Sequence, residues 1–390
     1  MGMDTLKITV IGAGIGGLAV ARALALRGAD VMVLEQAPEI AEVGAGLQIS
    51  PNGFAVLRAL GLGDALRVRG VQARAVSLRD YRRGEVLRLD LGALENDDYY
   101  FIHRADLIDI LAQGARAAGV KVRLLQKVSQ VSPGTRPQVQ LANGASLGSD
   151  LVIGADGLHS KVREALNGTT APFFTRQVAW RATIPNLTGR GPEARVHMGP
   201  MRHVVSYPLR DSTLLNIVAV QEKAAWAAES WTQKDDPMAL RAAFADFGPE
   251  VRAMLDAVQD VHLWGLFRHP VAPVWQGGNM VILGDAAHPT LPFMAQGASM
   301  ALEDGWILCD ELNRAPDVSE ALARYQTRRE ARVRRVVEAA NRNAWKYHLS
   351  FPPLRWAAHG ALRAGGAIAP TRMMRQFDWL YGHDVTQAPA

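Results

Sequence analysis

The sequence lacks the features of a secreted or membrane-spanning protein. Cys309 is the single cysteine among 390 residues, so no internal disulfide, zinc site or thiol pair can form from cysteines, a usage that fits the cytoplasm. No run of about 18 apolar residues occurs, which excludes a transmembrane helix. The first apolar strand begins at residue 6, so we expect no signal peptide. Repeats and low-complexity linkers are also lacking, and we therefore expect a cytoplasmic globular protein.

The charge of the chain excludes few partners. The net charge is +5 and the isoelectric point is near 9.5, which suits nucleic acid, anionic lipid or a small anionic substrate. Because only the charge favours the first two, we expect neither a nucleic acid nor a membrane as partner. The hydrophobic fraction is 48% and the charged fraction 21%, so the chain can form a large core, with two closely joined domains.

Residues 6–35 contain a nucleotide-binding motif. A short apolar strand, a glycine-rich turn, a helix and a second strand follow one another, and the turn has the pattern G-x-G-x-x-G at Gly12, Gly14 and Gly17. Gly12 permits the tight turn, Gly14 lets the backbone approach a pyrophosphate, and Gly17 lets the helix pack on the strand. Glu35, after the second strand, can accept hydrogen bonds from a ribose. The stretch predicts a dinucleotide site and leaves FAD and NAD open.

Two later strands also end in acidic motifs. Residues 151–157 form an apolar strand that ends in Gly-Ala-Asp-Gly and places Asp156 at the strand end, although a left-handed turn with an Asx cap is the alternative. Residues 279–285 end in the same way at Asp285, and Gly297 lies where the following loop passes into a helix. An NAD dehydrogenase needs only the N-terminal motif, so three strand ends aimed at one ligand indicate a longer cofactor that crosses the fold.

The order of the elements predicts an α/β protein with an added antiparallel sheet. Residues 75–90 form a hairpin with its turn at Arg83 and Gly84, and β-rich segments follow one another without helices over residues 173–222. The small residues of the loop 43–52 let the backbone pass close to a flat ligand, with a plain loop as the alternative. Helices are predicted at residues 52–66, 102–118, 160–166, 237–257, 299–313 and 318–348.

These motifs together resemble those of the class A FAD-dependent aromatic hydroxylases, nearest to the branch of salicylate hydroxylase, 3-hydroxybenzoate 6-hydroxylase and 6-hydroxynicotinate 3-monooxygenase. The likeness spans residues 6–329 and returns at residues 378–384. It implies a Rossmann-like FAD-binding domain of the para-hydroxybenzoate hydroxylase type, an interleaved antiparallel β-sheet domain for the substrate, and C-terminal helices. The implied ranges are 1–74, 98–172 and 270–345 for the FAD-binding domain, 75–97 and 173–269 for the substrate domain, and 346–390 for the C-terminal helical segment.

The resemblance also implies which residues contact FAD. It places the adenosine ribose on Glu35, the adenine near Val128, and the ribityl or pyrophosphate region on Asp285. Arg104, in the sequence His-Arg-x-Asp-Leu, contacts the cofactor; without the resemblance, a surface arginine beside Asp106 is an equal alternative. The whole implied set is Gly12, Ala13, Gly14, Gly17, Glu35, Gln36, Gly46, Gln48, Arg104, Val128, Asp156, Asp285, Pro292, Gly297 and Ala298.

Physical chemistry supports the assignments near residue 297. Reduced flavin is negatively charged around N1 and the C2 carbonyl, and the free N–H groups at a helix N-terminus near Gly297 would stabilise that charge. Gln296 and Ala298 then lie beside the pyrimidine edge of the ring. Pro292 is rigid and lacks an N–H group, which suits a wall beside the ring.

The implied reaction is monooxygenation of a small aromatic substrate, a phenolic acid or an N-heteroaromatic, through a flavin C4a-hydroperoxide formed with O2. NADH or NADPH is a transient co-substrate, because no separate nicotinamide domain is visible. The alternative is a non-oxygenating FAD-binding protein or sensor with the same fold. The oligomeric state stays open, a homodimer included.

Oxygen transfer to an aromatic ring that carries a hydroxyl group needs a nearby acceptor for the proton of that hydroxyl. His203 and Tyr207 lie four residues apart on one predicted strand, so they face the same side with Cα atoms about 13 Å apart, room for one ring between the side-chain tips. A structural histidine and a packing tyrosine are the alternative. Gln48 completes the candidate catalytic set; it stands where some relatives carry a histidine, so phenols, salicylate and N-heteroaromatics all stay open as substrates.

Overall fold

The computed structural model describes residues 2–40, 45–223 and 234–387, so Val43 and Gly44 of the predicted small-residue loop lie outside the described residues. The strands are β1 Lys7–Ile11, β2 Asp30–Leu34, β3 Gly46–Ile49, β4 Val71–Gln72, β5 Ala75–Asp80, β6 Gly84–Asp90, β7 Tyr100–His103, β8 Lys121–Arg123, β9 Val128–Ser132, β10 Gln138–Leu141, β11 Ser146–Gly148, β12 Leu151–Gly154, β13 Phe173–Pro185, β14 Glu193–Gly199, β15 Arg202–Leu209, β16 Leu214–Glu222, β17 Lys234–Asp235, β18 Val261–Arg268, β19 Gln276–Gly277 and β20 Met280–Ile282. The α-helices are α1 Ile15–Ala25, α2 Pro51–Ala59, α3 Gly63–Arg69, α4 Arg104–Ala117, α5 Lys161–Asn167, α6 Pro237–Ala243, α7 Pro249–Asp256, α8 Gly297–Arg314, α9 Val318–Tyr347, α10 Pro352–Ile368, α11 Pro370–Arg375 and α12 Asp378–Tyr381.

The nucleotide motif belongs to a sheet with the order β19-β20-β12-β1-β2-β8. The neighbours β20, β12 and β1 all run parallel to one another. Parallel strands have their carboxyl ends at one edge of the sheet, so the three sequence motifs that follow these strands meet at that edge. Helix α1 is buried along most of its length and packs on α8 through a close approach of Gly305 to Val20.

A second sheet has the order β17-β18-β13-β16-β15-β14-β5-β6. Its neighbours are antiparallel, apart from the parallel pair β14 and β5. The predicted hairpin over residues 75–90 is formed by β5 and β6, and Gly84 in its turn has a φ of +94° that favours glycine. The predicted α/β fold with an added antiparallel sheet is confirmed, while the division into domain ranges stays a prediction.

Several predicted helices begin or end at other residues. The helix predicted over residues 52–66 is divided into α2 and α3, because Gly61 adopts a φ of +72° that ends the first of them. The helix predicted over residues 237–257 is likewise divided into α6 and α7, and Pro249 restarts the chain at the first position of α7. Residues 102–103 belong to β7 rather than to the helix that follows, since β7 pairs with β3 and β4. None of the helices within the described ranges is both long and apolar enough to cross a bilayer.

Candidate functional site

A cavity of about 760 Å³ lies between the carboxyl edge of the parallel sheet and one face of the antiparallel sheet. At one end it is lined by Gly12, Gly14, Glu35 and Val128, and at the other by His203 and residues of β15 and β16. The predicted residues Gln36, Gly46, Gln48, Arg104, Asp156, Asp285, Pro292, Gly297, Ala298 and Tyr207 line the same cavity. Within residues 2–40, 45–223 and 234–387, no three His, Cys, Asp or Glu side chains are grouped to hold a metal ion.

The three glycines of the N-terminal motif differ in what surrounds them. A Cβ atom at Gly12 would overlap the carbonyl oxygen of Ala155, and one at Gly17 would overlap the carbonyl oxygen of Gly12. A Cβ atom at Gly14 would meet no protein atom within 4 Å. Gly12 and Gly17 are therefore required by the packing of the chain itself, while the space beside Gly14 belongs to the cavity and fits a pyrophosphate.

The Glu35 carboxylate is held in place by the backbone. Its Oε2 atom accepts a hydrogen bond from the N–H of Ala13 at 2.8 Å, and its Oε1 atom accepts one from the N–H of Ala37 at 2.8 Å. A carboxylate oxygen has room for a second donor, so the group can still receive the hydroxyls of a ribose. Ala13, which like Gly17 belongs to the predicted set but does not line the cavity, thus acts by orienting Glu35.

Charged groups from separate segments meet in the middle of the cavity. Burial raises the pKa of Asp285, and the nearby Arg104 guanidinium opposes that shift. Arg104 lines the cavity, and Asp106 accepts two hydrogen bonds of 2.9 Å from Arg210, which favours a cofactor contact for Arg104 over a surface pair with Asp106. Burial also raises the pKa of Asp156, whose Oδ2 atom accepts a 2.8 Å hydrogen bond from the backbone of Lys161. This set can hold the polar middle of a long cofactor.

The N-terminus of α8 opens onto the cavity. Helix α8 begins at Gly297 after Gln296, and the preceding Ala295 has a left-handed backbone with a φ of +51° that turns the chain towards the cavity. The Gln296 side chain donates to the Ser50 hydroxyl at 2.9 Å and accepts from Asn52 at 3.1 Å. The first N–H groups of α8, which no helical carbonyl can satisfy, therefore face a space that suits an anionic ring edge.

A buried ionic network, absent from the sequence-based prediction, supports this end of α8. Glu303 and Asp304 on α8 are fully buried and both accept hydrogen bonds from Arg329 on α9, at 2.6 and 2.7 Å. Burial alone would raise the pKa of Glu303, but the guanidiniums of Arg329 and Arg332 lower it to about 2. Burial would also raise the pKa of Asp304, but His288 and Arg329 lower it well below its usual value. Adjacent acids in an otherwise apolar helix face were the one signal in the sequence.

Replacing Arg329 by Met should destabilise the protein strongly, because two buried carboxylates would lose their shared cation. We expect the free energy of unfolding to fall by about 3–5 kcal/mol, measured by chemical denaturation. The exposed Arg334, which pairs with Glu330 on the same helix, is the matched control, and Arg334→Met should cost less than about 1 kcal/mol. Equal effects of the two substitutions would contradict a stabilising network.

The network should also make the folding stability of the wild-type protein fall at low pH. The folded pKa of Glu303 lies at about 2, below its ordinary value of 4.5, so its ionised form stabilises the fold above pH 4.5. That stabilisation is lost as the pH falls from 4.5, the ordinary pKa of a glutamate, to about 2, the pKa of Glu303 in the folded protein. The midpoint of chemical denaturation of the wild type should therefore fall as the pH is lowered across this range. The midpoint of Arg329→Met should depend less steeply on pH.

The wall opposite the nucleotide motif carries His203 and Tyr207. His203 is 2% exposed, and burial together with the neighbouring His348 lowers its pKa well below the usual value, so the ring is neutral. Its Nδ1 atom lies 2.7 Å from Nε2 of His348. Burial raises the pKa of Tyr207, whose ring packs 5.0 Å from that of Phe101. Both side chains line the cavity, but their catalytic role stays a prediction.

Gln48 lies between the two ends of the cavity. Its Oε1 atom accepts a 2.8 Å hydrogen bond from the hydroxyl of Tyr99, which leaves its amide group available to the cavity. The acceptor atom is thus already engaged, so Gln48 can donate to a ligand more readily than it can accept a proton.

The structure adds cavity residues that sequence analysis missed, among them the charged side chains of Arg181 on β13, Lys127 and Lys161. The Arg181 guanidinium lies 4.5 Å from the centre of the Trp264 ring. Burial lowers the pKa of Arg181 to about 10, so the group keeps its charge at neutral pH. Its Nε atom is buried and has no hydrogen-bond acceptor within the described part of the chain. The C-terminal helices supply Met374, Phe377 and Tyr381 to the same cavity. An arginine within the apolar run of residues 178–184 was the available signal for Arg181.

Comparison with known proteins agrees with this geometry. The model of a family described as FAD binding domain matches residues 5–340. The 3-amino-4-hydroxybenzoate 2-monooxygenase of Streptomyces cremeus is 36% identical over 97% of this chain and 95% of its own. The 3-hydroxybenzoate 6-hydroxylase 1 of Aquipseudomonas alcaligenes is 33% identical over 98% of both chains. Among solved structures, HpxO of Klebsiella pneumoniae in complex with FAD and uric acid superposes with a TM-score of 0.84 at 27% identity, over 96% of this chain and 97% of that one.

Proposed function

The chain belongs to the FAD binding domain family and is an FAD-dependent aromatic monooxygenase that uses NAD(P)H, and we propose that it adds one oxygen atom from O2 to an aromatic acid carrying a ring hydroxyl. One observation carries the proposal: the cavity that holds the nucleotide motif also contains a cation, Arg181, whose Nε atom is buried, and a neutral histidine, His203. A carboxylate and a hydroxyl on one ring would satisfy both groups. The relatives named above act on hydroxybenzoates, which have this chemistry.

The residues that would hold FAD fit that cofactor. Gly14 leaves room for the pyrophosphate, Glu35 is oriented to receive the adenosine ribose, and Gly297 presents a helix N-terminus to the pyrimidine edge. When bound, FAD supplies hydride acceptance from NAD(P)H and the activation of O2. Pro292 and the apolar Leu291 flank the space for the ring.

The chain's own groups have three tasks in the reaction. Arg181 would bind the substrate carboxylate and so fix the orientation of the ring. His203 would accept the proton of the ring hydroxyl, which raises the electron density of the ring before oxygen is transferred. The apolar side chains Val218, Val220 and Phe293 line the same region and exclude water from it.

A substrate screen tests the proposal. Hydroxylated benzoates, aminohydroxybenzoates and hydroxynicotinates should be compared for their stimulation of NADH and NADPH oxidation, with products identified by mass. The expected result is a product that gains one oxygen atom, with or without loss of the carboxyl group. Tight ligand binding without NAD(P)H oxidation would instead support the non-oxygenating sensor.

Arg181→Met should weaken the binding of acids selectively. Because charge-assisted hydrogen bonds contribute about 1.5–3 kcal/mol, we expect the KM for the acid substrate to rise roughly 10- to 100-fold. The KM for the corresponding phenol without a carboxyl group should hardly change. Arg176→Met, an exposed position on the same strand, is the control. An equal rise for the acid and for the neutral phenol would assign Arg181 a structural role.

We also infer a cytoplasmic location, because the cytoplasm supplies reduced nicotinamide and the single cysteine suits a reducing compartment. A homodimer stays a prediction that sedimentation of the purified protein would test.

A further inference from the structure

We propose that Glu222 and His348 are positioning residues that fix the tautomer of His203 and carry the substrate's proton from the cavity to the protein surface. The inference rests on the proposed function, since it assigns the fate of the proton that His203 receives. It concerns residues from three separate elements: the end of β16, the residue after α9, and β15.

A continuous chain of hydrogen bonds joins the three side chains. Nδ1 of His203 lies 2.7 Å from Nε2 of His348, and Nδ1 of His348 lies 2.7 Å from Oε1 of Glu222. The first two side chains are buried, whereas the Glu222 side chain is 35% exposed. The chain therefore begins at the cavity wall and ends at a carboxylate that water can reach.

The direction of each hydrogen bond follows from the carboxylate. Ionised Glu222 can only accept, so His348 must donate to it from Nδ1. A neutral His348 then has a lone pair on Nε2, and His203 must donate to it from Nδ1. A neutral His203 is left with its lone pair on Nε2, the ring nitrogen that remains for a ligand in the cavity. A carboxylate at the surface thus makes His203 a proton acceptor.

The surroundings of His203 favour this arrangement over a charged ring. The aromatic rings of Phe293 and Tyr347 lie 5.7 and 5.3 Å from the imidazole, centre to centre. Burial raises the pKa of Tyr347 to about 12, so it stays neutral. An imidazolium held in this apolar site is unfavourable, and its excess proton is released most readily through the Nδ1 hydrogen bond.

Proton transfer along the chain is balanced without an oxidant or reductant. The substrate O–H bond breaks and an N–H bond forms at Nε2 of His203. The Nδ1 proton of His203 moves to Nε2 of His348, and the Nδ1 proton of His348 moves to Glu222. The carboxylic acid then releases its proton to water, and the substrate keeps the electron pair of its oxygen.

A purely structural role for the three side chains is the competing explanation. The backbone N–H of Met201 already bonds the carbonyl of His348 at 3.1 Å, so the end of α9 is fastened to the sheet without the imidazole. Glu222→Gln keeps the shape of the side chain but removes the obligatory acceptor, because the amide can donate as well as accept. This substitution separates the two roles.

The first test measures oxygen transfer in Glu222→Gln. We expect FAD binding and the rate of flavin reduction to match the wild type, while hydroxylation slows by about tenfold or more and peroxide release per NADH rises. The H2O/D2O rate ratio should change, since a proton step becomes limiting. In His348→Ala, added imidazole should restore part of the rate. Glu338→Gln is the control, because Glu338 is 69% exposed on α9 and pairs only at 3.7 Å with Arg342.

The second test is independent of activity. The side-chain nitrogen shifts of His203 and His348, measured by NMR, report which ring nitrogen carries the proton. The wild type should show His203 protonated at Nδ1, and Glu222→Gln should show a mixture or the opposite tautomer. Wild-type hydroxylation with unchanged coupling in Glu222→Gln, or His203 protonated at Nε2 in the wild type, would overturn the inference. If the wild type hydroxylates no aromatic acid but shows the expected tautomer, the proposed function fails while the hydrogen-bond chain stands.

Discussion

Replacing His203 by Ala is expected to separate flavin reduction from hydroxylation. Removal of a general base typically costs about 10² to 10⁴ in rate, so hydroxylation should fall by that factor. FAD affinity and substrate-stimulated NADH oxidation should be largely kept, because none of the cofactor motifs is touched. Most of the NADH consumed should then yield hydrogen peroxide, and a higher pH should restore part of the hydroxylation because the substrate ionises unaided.

Three measurements check this result: product formed per NADH, peroxide formed per NADH, and the rate of flavin reduction under anaerobic conditions. His203→Gln is a useful companion variant. It removes less side-chain volume than His203→Ala, so Phe293 and His348 are less able to move into the space that the imidazole leaves. His262→Ala serves as the control, because His262 lies on β18 outside the cavity. If His203→Ala forms product as fast and as tightly coupled as the wild type, His203 is structural and the proton acceptor lies elsewhere.

Gly14→Val is expected to abolish FAD binding while leaving the apoprotein folded. Gly14 has a φ of −76°, which any residue adopts, and a Cβ atom there meets no protein atom within 4 Å. The valine side chain would fill the space that a pyrophosphate needs, so we expect affinity for FAD to fall by at least about 100-fold, roughly 2.7 kcal/mol. The apoprotein should lose no more than about 1 kcal/mol, the cost of a poor helix cap.

Gly12→Ala provides the contrast within the same motif. Gly12 has a φ of +100°, and its Cβ atom would overlap the carbonyl oxygen of Ala155. That substitution should therefore destabilise the apoprotein itself. Quenching of flavin fluorescence gives the affinity for FAD, and thermal unfolding of the apoprotein gives the stability. A Gly14→Val protein that binds FAD as the wild type does would place the pyrophosphate elsewhere.

The strand-end motifs could be predicted from the sequence because each is local. A strand, its glycine or acid, and the next helix lie within a few residues, so Gly12, Asp156 and Asp285 could be found by pattern alone. Their meeting at one edge follows from the general rule for parallel strands, and the order β20-β12-β1 bears it out. The FAD-dependent class of enzyme followed from these motifs through a family resemblance that the comparisons confirm.

The remaining parts of the site depend on contacts between distant segments. His203 meets His348 only because the end of α9 returns to the sheet, and Arg181 faces the cavity only because of the register of β13. The prediction of a single helix over residues 52–66 was wrong at Gly61. This residue has a left-handed backbone conformation that ends the first helix, although the apolar pattern of the sequence continues. Sequence patterns of period two or 3.6 carry no information on such long-range pairings.

The position of β1 in its sheet has a consequence for synthesis on the ribosome. Ile8 of β1 pairs with Leu151 of β12, and β20, which completes this edge, ends at Ile282. At about 5–20 residues per second, the ribosome needs on the order of ten seconds after making β1 before it delivers β12. During that interval the edge of β1 that later pairs with β12 has no partner, and the FAD-binding edge of the parallel sheet cannot form. Nascent chains are thus most exposed to aggregation early in translation, and flavin can be captured only after most of the chain has emerged.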